Sequence, residues 1–150
     1  MTEPKTTESH PDPARAARLR LLALASTPEL EALLGRLRTR PGYVHLRKPE
    51  TGLALVRARA GGVGQRFNLG EATMTRCAVR LDDGRIGHGH VLGRSARRAE
   101  LVAVLDALLQ GMDSTVLLAP LASAQDDRRR RGAEKSAATK VDFFTVARQS

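Results

Sequence analysis

Apolar residues recur along this chain with two periods, and the switch between them divides it. Asp12–Pro13 pairs an N-cap acceptor with a proline at the first helical position, and Leu19, Leu22 and Ala23, then Ser26, follow as one stripe. Thr27–Pro28 repeats the signal, and Leu30, Leu33, Leu34 and Leu37 carry a second helix to about Arg38. Pro41–Gly42 closes the pair, which reads as a helical hairpin. From Tyr43 the period falls to two. Tyr43–Lys48 alternates as an edge strand, and Gly52–Ala60 is a second strand. A glycine-rich loop, Gly61–Gly70, leads to a third strand over Ala72–Leu81. Asp82-Asp83-Gly84 is a hairpin turn, and Arg85–Leu92 the fourth strand.

Helical spacing then returns. Ser95 caps a helix whose stripe is Leu101, Val104, Leu105 and Leu108, widened by Val102 and Leu109 and stopped by Gly111. Val116–Leu121, with Pro120, reads as a short extended segment. Ser123 to about Lys140 is polar and basic, a helix facing solvent or one awaiting a partner. Val141–Arg148 places Phe143 and Phe144 side by side. Residues 1–12 have no apolar period and are expected to be a disordered arm, leaving 13–150 as one domain. Helices flanking a run of strands joined by short turns predict an α+β fold. It would have an antiparallel sheet of about four strands, helices on one face, an N-terminal helical hairpin and a C-terminal helix.

Composition narrows the chemistry. Tyr43 and Phe67 complete the aromatic set of four, 3% of the chain, so the core must be aliphatic. The same poverty disfavours modules that stack single-stranded bases. Cys77 is the sole cysteine, so no internal disulfide and no cysteine-only metal or iron–sulfur site can form within one chain. No apolar run approaches a membrane span and the first residues are polar, so a cytoplasmic protein without a membrane partner is expected. The net charge is +9, and residues 51–100, with 9 basic and 4 acidic residues, carry most of it. Such a balance suits nucleic acid, phosphate ligands or an acidic protein surface.

Four features could carry chemistry. Alternation groups Ala54, Val56, Ala58 and Ala60 with Cys77, Val79 and Leu81 as the face under the helices. The opposite face would mix Leu53, Leu55 and Met74 with Arg57, Arg59, Arg76 and Arg80. Its four arginines and no lysine favour a covered partner surface over a solvated face. His88 and His90, in Gly87-His88-Gly89-His90, share one side of their strand. A two-residue turn would oppose them to Val79 and Cys77. A three-residue turn with a glycine bulge, the favoured register, opposes them to Ala78 and Arg76. Structural hydrogen bonding and ligand or proton chemistry both suit them. A zinc site with Cys77 lacks a fourth ligand. Gly61, Gly62 and Gly64 flank Val63 in a loop that turns between strands or cradles an anion, yet matches no phosphate-loop or dinucleotide fingerprint. Arg128–Arg131 reads as a solvated helix face, with nucleic acid or an acidic partner as the alternative. No Ser-His-Asp order or helical H-E-x-x-H exists, so no self-sufficient active site is visible.

Several segments, taken in order, resemble the PhnG family. They are Glu50-Thr51-Gly52-Leu53, Arg57-Ala58-Arg59, Gly61-Gly62-Val63-Gly64 and Phe67-Asn68-Leu69-Gly70-Glu71, then Thr73 to Leu81 and Asp83 to Gly87. The likeness continues through Val91-Leu92-Gly93-Arg94, Ala99-Glu100-Leu101, Leu105 to Leu108, Leu118-Ala119-Pro120-Leu121 and Val141 to Thr145. Val63 stands where the family usually has Thr, and His90 where it often has an aromatic residue. These proteins are the G subunits of the bacterial carbon–phosphorus lyase machinery. The resemblance implies a part in forming ribose 1-alkylphosphonate 5-triphosphate and adenine from ATP and an alkylphosphonate. It implies PhnH-, PhnI- and PhnJ-type partners in a core complex and a PhnL-type ATP-binding subunit. It implies a transferase subunit with no assigned catalytic residue. Independently of the family, one cysteine and no phosphate-loop motif predict no cofactor or metal in this chain and no independent catalysis. Arg57, Arg59, Gly61, Gly62, Gly64, Arg76, Arg80, His88 and His90 are the candidate partner or anion contacts.

Overall fold

The computed structural model describes residues 12–139. They form α1 (Pro13–Leu24), α2 (Thr27–Arg36), β1 (Tyr43–Arg59), β2 (Arg66–Leu81), β3 (Ile86–Leu92), α3 (Ala96–Leu108) and α4 (Thr115–Ala138). The strands make one antiparallel sheet in the order β1-β2-β3. No helix among the described residues is long and apolar enough to cross a membrane. The expected arm lies outside them, except Asp12, whose Oδ1 accepts the Ala14 N–H at 3.0 Å and starts α1. Val141–Arg148 also lies outside.

The core is built around α3. Every residue from Leu101 to Leu109 is buried, so α3 is wrapped on all sides rather than amphipathic. It rests on β2 and β3, while α1 and α2 each pack against it rather than chiefly on one another, which replaces the expected hairpin. Leu22, Leu30 and Leu33 reach in from those helices, Cys77, Val79, Leu81 and Val91 from the sheet, and Leu118 and Leu121 from α4.

Gly87 and Gly89 explain how closely α3 sits on the sheet. A Cβ on Gly89 would stand 2.9 Å from the Ala103 nitrogen and 3.0 Å from the Ala99 carbonyl carbon, and closer still to that carbonyl's oxygen. A Cβ on Gly87 would stand 2.7 Å from the Ala107 nitrogen. The alternation of glycine with histidine along β3 therefore gives one face to helix backbone and turns both imidazoles to the other.

The expected four strands are three. Tyr43–Lys48 and Gly52–Ala60 are parts of the single β1, interrupted by register shifts between His45 and Arg47 and between Arg47 and Glu50. Pro49 lies within the second shift on an edge strand, where its missing N–H removes no ladder bond. The glycine loop is also shorter than expected, because Arg66–Gly70 already pairs with β1. The expected extended segment Val116–Leu121 lies inside α4. Leu118 and Leu121, three apart, bury one helix face, and this packing outweighs the backbone bond that Pro120 removes.

The outer edge of β3 is partly capped by side chains near its start. Asp106 Oδ2 accepts the His88 N–H at 3.0 Å, and Gln110 Nε2 donates to the Ile86 carbonyl at 2.6 Å. Arg15 donates to both carboxylate oxygens of Asp106, at 3.2 and 2.7 Å. These contacts satisfy edge groups that would otherwise recruit another strand.

Candidate functional site

The turn between β2 and β3 decides where the histidines point. Arg80 pairs with Ile86, the Leu81 N–H donates to the Arg85 carbonyl at 2.9 Å, and Gly84 adopts φ 92°. Asp82-Asp83-Gly84 is thus the three-residue, glycine-bulged turn, as favoured from the sequence. His88 opposes Ala78 and His90 opposes Arg76, on the face turned away from α3.

This open face is a grid of cross-strand rows. Val44, Arg80 and Ile86 form one row; Arg47, Ala78 and His88 the next; Glu50, Arg76 and His90 the third; Gly52, Met74 and Leu92 the last. A shallow cleft of about 470 Å³ in the middle is lined by Leu46, Arg47, Arg76, Ala78, His88 and His90, with Cys77 at its floor. Glu50 Oε1 accepts from Arg47 Nη1 at 2.7 Å and Arg76 Nε at 2.6 Å. Arg76, foremost, holds the Glu50 carboxyl below its ordinary pKa. Burial foremost, then the nearby His88, Arg76 and Arg47, lowers the His90 pKa from its ordinary value and so favours the neutral imidazole. Two guanidiniums share one carboxylate, so the cleft carries excess positive charge beside a neutral imidazole able to donate or accept a proton. Among the described residues no group of three or more His, Cys, Asp or Glu is placed to hold a metal ion.

The face assignments from the sequence need correction. Leu53 pairs with Thr73 and Leu55 with Glu71, and Thr73 shares the side of Thr75, Cys77 and Val79 that lies under the helices. Leu53, Leu55, Arg57 and Arg59 therefore continue that side, while Ala54 and Val56 continue the side of Met74, Arg76 and Arg80. Composition alone does not distinguish the two faces of β1; the register through Thr51–Thr75 sets them this way. Arg76, Arg80, His88 and His90 are brought together on the open face. Arg57, Arg59, Gly61, Gly62 and Gly64 stand apart, at the tip of the β1–β2 hairpin, about 27 Å of strand from Met74. There Ala60–Gly62 form a 3-10 turn whose Ala60 carbonyl accepts the N–H groups of Val63 and Gly64, turning both inward.

Other polar groups went unread in the sequence. Asp106 is fully buried within α3 and ties α1 to the backbone of His88; its one signal is an acid inside an apolar run. Glu100 Oε1 accepts from the Tyr43 hydroxyl at 2.9 Å and lies 3.0 Å from His45 Nε2, joining the start of β1 to α3 under the sheet. Thr75, also fully buried, donates to the Gly93 carbonyl at 2.7 Å and lies 3.0 Å from the Thr51 hydroxyl, fixing the register of β1. Arg128 of the Arg-rich run holds Glu29 of α2 at 2.8 Å, so that run is in part a structural clasp.

A family model described as phosphonate metabolism protein PhnG matches residues 13–149. A curated protein of Rhizobium meliloti (strain 1021), the alpha-D-ribose 1-methylphosphonate 5-triphosphate synthase subunit PhnG, is 42% identical over 152 residues. The alignment covers 99% of this chain and 97% of that protein.

Proposed function

This chain belongs to the PhnG family of phosphonate metabolism proteins, and on that premise we propose that it is a subunit of a ribose 1-alkylphosphonate 5-triphosphate synthase. The reaction joins ATP and an alkylphosphonate at the ribose C1, with adenine as the leaving group. The observation that carries this reading is the 42% identity over nearly the whole length of a subunit so named. Its partners are PhnH-, PhnI- and PhnJ-type subunits, with a PhnL-type subunit supplying ATP binding.

The open face favours a role at a shared site. ATP and a phosphonate are both anionic, and Arg47 and Arg76 concentrate positive charge in a cleft that is too shallow to enclose either alone. A partner subunit laid over Val44, Leu46, Ile86 and Leu92, all exposed, would roof the cleft and exclude water. Exclusion of water matters because water competes with the phosphonate oxygen for the ribose C1. His90, neutral, and the guanidinium of Arg76 would orient the phosphonate or the triphosphate there. The purely structural alternative uses the same face only as a contact.

The test is synthesis by the reconstituted subunits with and without this chain, followed by the yield of ribosyl phosphonate. We expect omission to abolish the yield; an unchanged yield overturns the proposal. In the assembled complex, H90A and R76A separate the two roles. Lost turnover in an intact particle supports a site role, whereas lost assembly supports scaffolding.

A further inference from the structure

The β1–β2 hairpin is longer than the fold requires. The last pair between β2 and β3 is Met74 with Leu92, yet β1 and β2 continue pairing out to Arg59 and Arg66. Over Leu53–Arg59 and Arg66–Thr73 the sheet is therefore a ribbon of two strands. Such a ribbon is marginal in water unless something packs on it. Its side chains are nonetheless apolar on both faces. Leu53 and Leu55 lie on one side, Val56 and Phe67 on the other, and Leu69 stands unopposed at the bulge where pairing steps from Val56–Gly70 to Arg57–Asn68. Leu53 is 69% exposed, Leu69 65% and Val63, at the tip, 91%.

Charge specifies what would cover it. Arg57, Arg59 and Arg66 cluster at the far end of the ribbon, and none forms an ion pair among the described residues. On the body, Arg15, Arg47, Arg76, Arg85, Arg97 and Arg128 hold carboxylates, while others such as Arg36, Arg80 and Arg94 hold none among the described residues. The ribbon differs in that all three of its arginines gather at one end with no carboxylate bound among those residues. A second copy of this chain would bring the same three arginines and a further +9, which opposes self-association. We infer that the ribbon is an arm that inserts into an apolar, carboxylate-rimmed groove on a different subunit of the synthase. Apolar residues on both faces fit a groove with two walls better than a flat surface. The inference rests on the reading of the chain as a complex subunit and adds the element that joins it.

The experiment is co-expression of the full chain with the remaining synthase subunits, reading the fraction of the chain in the assembled particle. L55E and F67D probe the two faces, and a triple variant, R57E with R59E and R66E, probes the rim. Each is expected to lower incorporation about tenfold or more, as buried apolar and arginine anchors do. The isolated variants should keep the wild-type thermal transition, because the ribbon lies outside the core. Normal incorporation of L55E and F67D overturns the inference, as does normal incorporation of the triple variant for its acidic rim. Loss of the thermal transition would place the ribbon in the chain's own fold and also overturn it. So would a homodimer of the isolated chain that L55E dissolves. If these variants assemble normally while omission of the chain still abolishes synthesis, the arm fails and the proposed function stands.

Discussion

Replacing Gly89 with alanine tests how β3 presents its histidines. The added Cβ would lie 2.9 Å from the Ala103 nitrogen and 3.0 Å from the Ala99 carbonyl carbon, with the Ala99 oxygen nearer still. All of these are backbone atoms, so no side chain can rotate away. Relief requires α3 to lift from the sheet, and α3 is enclosed by α1, α2 and the strands. A lift of even 0.5–1 Å forfeits roughly a quarter to a half of each dispersion contact it loosens. That places G89A at the upper end of overpacking costs, about 3 kcal/mol. For a chain of this size the corresponding fall in Tm is about 10 °C. Gly52→Ala is the control: it lies in β1, at ordinary φ, with nothing within 4 Å of the added Cβ, and should change stability by less than about 0.5 kcal/mol. Thermal and urea unfolding of the three proteins measure both. Stability of G89A within 0.5 kcal/mol of wild type, marked against that same ordinary surface range, would refute the close-packing argument.

Further tests address the polar contacts. Removing Arg15 by R15A strands the carboxylate of Asp106, fully buried, with the His88 N–H as its remaining partner; we expect a loss of about 3 kcal/mol in chemical denaturation, and less than 1 kcal/mol would refute the edge-capping role. Burial, reinforced by Glu100, pushes the Cys77 thiol up to about 11, so thiol reagents at pH 8 should label it only on unfolding; rapid labelling of the native chain would contradict its buried placement. Arg128, assisted by Ser26, holds Glu29 at about 2 against an ordinary 4.5. A depressed folded pKa adds stability above the unfolded value, so this contribution is full above about pH 4.5 and is lost as pH falls toward 2. R128A should return the NMR titration of Glu29 toward 4.5 and flatten that acid dependence; an unmoved midpoint would reject the clasp.

Much of this architecture was legible because local signals and packing agree. Asp12–Pro13, Ser95 and Asp82-Asp83-Gly84 each specify a cap or turn through their own backbone chemistry, and the structure uses each so. The bulged turn then fixed the face of His88 and His90 from three residues. The faces of β1 were not legible, because Leu53–Arg59 and Ala54–Ala58 differ by one step and neither is buried; register there depends on Thr51 and Thr75, far along the chain. Gly87 and Gly89 only alternate with the histidines in the sequence; their purpose is visible once α3 is laid on them. Asp106 was hidden for a similar reason: its partners, Arg15 and the His88 backbone, come from elements 91 and 18 residues away. Pro120 misled, since it breaks an isolated helix more readily than one whose Leu118 and Leu121 are buried.

If this chain works as one part of a larger synthase, as we propose, it must be recovered bound to the other subunits. Native mass spectrometry of the complex, purified through a tag on this chain after co-expression with the other subunits, tests it most directly. The expected result is a single particle containing this chain in fixed integer ratio to its partners. Recovery of the tagged chain alone, with every partner present and soluble, would contradict it.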